Sequence, residues 1–168
     1  MKDLLKKAKV IGRRAASSLP VSHVFHTIIN LPKVPEKEID TLVRAEITKV
    51  LPLPIDEMQI VYQPVSLNDE MAKHYIRLLV TAAPKNMVVF YTRIFQKAGL
   101  QLQELETEAF ALARSLVGKD ESLAMVVDIG AERTNFSLID KGLPMTQRSL
   151  QLGGAMLDRV IADRLGVN

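Results

Sequence analysis

The sequence predicts a mixed α/β protein, and three observations carry that prediction. Short β-branched or alternating apolar runs recur between longer segments with helical spacing, so neither element type dominates. Most of the prolines and glycines fall at the ends of these runs, where each lacks a donor or supplies a turn. The order of elements also changes along the chain. Strand, helix, hairpin, helix and strand come first, and three strands followed by a helix come last.

Taken in order, residues 2–9 read as the last turns of a helix that stops near Gly12. Residues 15–19 form a short run of small and apolar residues stopped by Pro20. Residues 24–31, VFHTIINL, are β-branched and apolar, and Pro32 and Pro35 close them as a strand. From Glu36 to Val50 the residues Ile39, Leu42, Val43, Ile47 and Val50 recur at helical spacing, until Pro52 and Pro54 end the helix. Two strands follow, 58–63 and 74–82, joined by a polar hairpin loop over 66–70. Pro84 suits the first turn of the next helix, which runs to Ala98 and stops at Gly99. Residues 100–106 alternate as a half-buried strand, and 107–117 carry Phe110, Leu112, Ala113 and Leu116 as a helix. After a loop at 118–121, strands are expected at 123–127, 133–140 and 143–150, with Lys141-Gly142 as the turn between the last two. Gly153-Gly154 opens a final helix through Leu165. The strand–helix–hairpin–helix–strand run over 21–106 is expected to make one sheet with its helices on one side.

Composition bounds what such a protein does. The chain has 168 residues, 48% of them hydrophobic, so it can bury a core; with 5% aromatics and no tryptophan, that core is aliphatic. It has no cysteine, which excludes disulfides, thiolate metal sites and cysteine nucleophiles. No apolar run approaches the roughly 18 residues that span a bilayer, and no signal-peptide pattern opens the chain. A cytoplasmic protein is the natural reading. Charge is uneven: residues 1–14 hold six basic residues against Asp3, net +5, and the remainder is net −2. A basic amphipathic start suits an anionic surface, although a solvated helix end explains it as well. No aromatic residue interleaves with it, so nucleic-acid binding is not expected.

The strongest local motif is Val126-Val127-Asp128-Ile129-Gly130-Ala131-Glu132-Arg133-Thr134-Asn135-Phe136. An apolar strand ends in aspartate and turns through glycine into a second strand. Such a turn brings backbone amides against phosphate oxygens, and the aspartate can hold a hydrated magnesium ion. The same residues also suit an ordinary hairpin in which Asp128 caps the strand and Gly130 supplies a positive φ. The motif alone leaves both open.

The order DIGAERTN, a strand, Lys141-Gly142, a strand, and then GGAMLDRVIADRLG resembles the second phosphate loop of actin-fold ATPases. Three upstream stretches narrow the family. They are Ser18-Leu19-Pro20 with the strand ending Leu31-Pro32-Lys33; LPLPIDE at 51–57 before Tyr62-Gln63; and VTAAPK at 80–85 with KAGL at 97–100 and ETEAFAL at 106–112. In this order they resemble the PilM family of type IV pilus assembly proteins over nearly the whole chain. The resemblance implies an actin-like, ribonuclease-H-like core fragment with an inserted strand–helix–strand–strand domain. It divides the chain into a remnant of the first actin-like subdomain (1–20), an inserted interaction domain (21–106), a connecting core helix (107–120) and the start of the second subdomain (121–168). Asp128, Gly130, Ala131, Thr134, Gly153 and Gly154 would then be the nucleotide-binding residues, with Asp128 reaching magnesium through water. ATP and magnesium belong to complete members. This chain lacks the first phosphate loop, of DxGxxxxK form, and the adenosine segment, so no activity is expected of it alone. The implied function is an interaction module that binds the cytoplasmic tail of a PilN-like inner-membrane partner, at the inner membrane through that partner, with self-association as a further option. An ATP-hydrolysing relative of the division protein FtsA is the alternative.

Other residues carry plainer readings. His23 and His26 lie three apart on an expected strand and point oppositely, with no carboxylate or cysteine nearby to share a metal. His74 stands alone. Glu104, Glu106 and Glu108 read as a solvated strand edge, Ser17-Ser18 lacks a base, and Lys85 reads as a solvated side chain.

Overall fold

The computed structural model describes residues 1–66 and 69–167. The chain is α/β and divides into two units, residues 1–107 and 108–168. In the first unit, a short helix α1 (Lys2–Lys7) precedes strand β1 (Arg14–Leu19) and strand β2 (Phe25–Pro32). Helix α2 (Glu36–Thr48), strand β3 (Met58–Pro64), the short helix α3 (Asp69–Ala72), strand β4 (Tyr75–Pro84), helix α4 (Lys85–Ala98) and strand β5 (Gln101–Thr107) follow. The expected loop at 66–70 falls partly on Leu67 and Asn68, outside the described residues; Asp69 and Glu70 open α3.

Strands β2, β4 and β3 form an antiparallel sheet with β4 in the middle. On one face, Leu78, Val80 and Ala82 of β4 join Leu31 and Met58 against Val43 and Ile47 of α2, both fully buried. Val43 and Ile47 are four apart, one helical turn, so the spacing seen in the sequence is the face that packs. The other face of β4 is buried as well. Ala83 packs with Leu19 and Val24 against Met87, Val88 and Tyr91 of α4 and Leu105 of β5, and Leu79 is buried on the same side of the strand. The expectation of helices on one side is therefore corrected. A strand covered on both faces reads as a continuous apolar run, as LLV does here.

A second correction concerns β5, expected within the 21–106 sheet. It pairs in parallel with β1 instead, Leu19 opposite Thr107, with an irregularity between Ala15 and Ala16. Residues 15–19 are thus a strand, a state their sequence reading left unassigned.

The second unit holds helix α5 (Glu108–Leu112), continued by a wider π-type turn over 113–117. Strands β6 (Ala124–Ile129), β7 (Thr134–Asp140) and β8 (Leu143–Leu150) form an antiparallel meander, and helix α6 (Gly154–Leu165) follows. Lys141 and Gly142 both have positive φ (50° and 75°), the backbone of a two-residue primed turn, so the turn reading holds. Ala109, Ala113, Ile139 and Pro144 are buried in this unit.

Candidate functional site

Asp128 is the penultimate residue of β6, half-buried and directly opposite Asn135 of β7. The Asn135 side-chain amide donates to Asp128 Oδ2 at 3.2 Å. Between the two residues the chain turns at 130–133, where the Gly130 amide donates to the Arg133 carbonyl at 2.8 Å. Gly130 is not among the residues with positive φ, so the left-handed turn expected there is not what its glycine provides. A Cβ at Gly130 would lie 3.1 Å from the Arg133 carbonyl oxygen, so close backbone approach is the constraint instead.

The structure brings Gly153 and Gly154 against this same turn. The Gly154 amide donates to the Gly130 carbonyl at 2.9 Å, and the Ala155 amide donates to the Ala131 carbonyl at 2.8 Å. Thr134 Oγ1 donates to the Leu152 carbonyl at 2.6 Å. The six residues singled out in the sequence therefore do sit together, at one end of the β6–β7–β8 meander and the start of α6. Phosphate oxygens accept hydrogen bonds and need donors. Three of the candidate donors, the amides of Gly130 and Gly154 and the hydroxyl of Thr134, are already engaged within the chain. Asn135 was not singled out, although counting the hairpin register inward from the turn pairs it with Asp128.

Elsewhere the structure separates candidates. His23 lies in a short turn over 21–23 rather than in a strand, and only His26 belongs to β2. Burial pushes the His26 imidazole down from 6.5 to about 4, and its Nδ1 lies 3.2 Å from Thr81 Oγ1 in a hydrogen bond across the strand pair. No cluster of three or more His, Asp or Glu suited to a metal ion occurs among the described residues. Lys85 is not merely solvated: its ammonium donates to the Asp56 carbonyl at 2.8 Å and ties the start of α4 to the turn before β3.

All of the chain, residues 1–168, matches the family described as Type IV pilus assembly protein PilM. The chain belongs to that family. A chain of a solved PilM–PilN type IV pilus biogenesis complex superposes with a TM-score of 0.80 at 28% identity, over 99% of this chain and 51% of that one. This PilM-family chain thus spans about half the length of the solved relative. The cytoplasmic domain of EpsL, an inner-membrane component of the type II secretion system of Vibrio cholerae, superposes at 0.64 over 96% of this chain and 58% of that one. At 7% identity that second likeness shows a shared fold alone. Among the described residues, no helix of this PilM-family chain is long and apolar enough to cross a membrane.

Proposed function

We propose that this PilM-family chain is an interaction module of the type IV pilus machine. In this reading it binds the cytoplasmic tail of a PilN-like inner-membrane protein along the outer edge of β2, and so works in the cytoplasm, at the membrane only through that partner. The observation that carries the reading is the position of β2. It lies at the edge of the β2–β4–β3 sheet, paired on one side with β4 and anchored near both ends by buried Val24 and Leu31. An edge held rigid offers backbone groups to an extended peptide at little ordering cost, and alternate side chains of the peptide supply the choice of partner. The solved complex containing PilN supports the partner class. In the same reading residues 121–168 begin a second actin-like subdomain, and Asp128 with its hairpin serves ATP and magnesium only in a complete family member.

The test adds a synthetic peptide of such a tail to the chain and follows amide exchange and calorimetry together. Slowed exchange confined to residues 25–32 is the expected result, with loss of binding in Thr27→Pro and retention in Asp128→Ala. Should Thr27→Pro fail to fold, exchange in the unaltered chain decides. Protection that appears at 58–64 or in the second unit, and not at 25–32, overturns the assignment.

A further inference from the structure

The two adjacent glycines before α6 have different reasons to be glycine. Gly153 has φ −150° and ψ −177°, an extended backbone that any residue adopts. Its demand is space: a Cβ there would lie 2.5 Å from the Ala131 carbonyl oxygen and 2.6 Å from both the Ala131 carbonyl carbon and the Gly130 carbonyl oxygen. All three are backbone atoms, which cannot swing away as a side chain would. A Cβ at Gly154 would meet its nearest neighbour, the Gly130 carbonyl oxygen, at 3.9 Å, an ordinary contact. No side chain caps α6; its first two amides donate to the Gly130 and Ala131 carbonyls instead. A helix start binds an anion through those amides, and here they are already used.

We infer that Gly153 is a positioning residue that seats the 130–131 turn on the start of α6, and that the glycine pair forms a backbone joint rather than a phosphate contact. The hairpin turn thereby replaces the usual side-chain cap, and Thr134 reinforces the joint from the next strand through the Leu152 carbonyl. Any ligand of the turn must use other groups than the Gly154 and Ala155 amides. The joint lies wholly within the second unit, so it stands or falls apart from peptide capture by β2.

The experiment uses the isotope-labelled chain and reads the Gly154 and Ala155 amides by NMR. In the unaltered chain both should exchange slowly, and neither should shift when inorganic phosphate and then ATP·Mg are added. In Gly153→Ala their exchange should accelerate by roughly 100-fold or more, as a local opening does, while Gly154→Ala retains the protection. Peptide binding, followed in the same samples, should be unchanged in both variants. Saturable shifts of the two amides on adding ATP·Mg would overturn the inference, and so would unchanged protection in Gly153→Ala. If Gly153→Ala does not fold, the titration of the unaltered chain and the exchange in Gly154→Ala decide.

Discussion

The Lys85 ammonium reaches the backbone carbonyl of Asp56 at 2.8 Å, joining the first residue of α4 to the proline-rich turn that leads into β3. The contact is exposed, so water competes for both groups and the net gain is modest. Lys85→Met should lower the stability of the first unit by about 0.5–1.5 kcal/mol. Urea unfolding followed by a probe in residues 1–107 checks this. No change in midpoint would make the bond incidental.

The two faces of β4 lead to a second expectation. Ile47 is fully buried against β4, whereas Val61 on β3 is 56% exposed. Ile47→Ala should cost about 2–5 kcal/mol, because the transfer term and the cavity term add. Val61→Ala should stay within about 0.5 kcal/mol. Equal costs for the two, measured by denaturant unfolding, would contradict the packing of Ile47 into the cluster between α2 and the sheet.

A third expectation concerns pH. Burial lowers the His26 imidazole from 6.5 to about 4, so the folded protein keeps it neutral where the unfolded chain protonates it. Above pH 6.5 the group is neutral in both states and has no effect. As pH falls from 6.5 towards 4 the unfolded state binds the extra proton and stability drops, by up to about 3 kcal/mol. Below about 4 the loss stops growing. His26→Gln should flatten this part of the stability profile, while carboxylates set the slope at lower pH. A profile that keeps its slope between pH 6.5 and 4 in His26→Gln would clear His26 as the cause.

Nucleotide affinity provides a fourth. With the Gly130, Gly154 and Thr134 donors engaged inside the chain, ATP·Mg should bind no tighter than about 1 mM, or about −4 kcal/mol. One hairpin does not enclose a nucleotide, and tight sites bury most of their ligand. Micromolar binding by calorimetry that disappears in Asp128→Ala would refute this.

Much of the second unit was legible before any coordinates. Lys141-Gly142 announces a tight turn because its backbone demand is local. The pairing of Asp128 with Asn135 is not among the sequence expectations, which end the strand at 127 and begin the next at 133; the structure extends the first to Ile129 and sets the register. Asp128, Gly130, Ala131, Thr134, Gly153 and Gly154 flank one hairpin and one helix start, which places them at one end of the meander. Their hydrogen bonds were not legible, because the carbonyls that consume the Gly154 and Ala155 amides lie across the fold at Gly130 and Ala131.

The sequence by itself determined the α/β class, most element positions, the α2 face that packs and the family. Each of these rests on spacing, turn chemistry or motif order among near neighbours. Tertiary structure alone decided that β5 pairs with β1 rather than joining the β2–β4–β3 sheet, and that β4 is covered on both faces. It also decided that Lys85 finds a carbonyl and that Gly153 has no room for a side chain. The physical reason is common to all four. Period and propensity say which face of an element is apolar, but the partner of a strand edge or of a backbone amide is chosen by where distant segments come to rest.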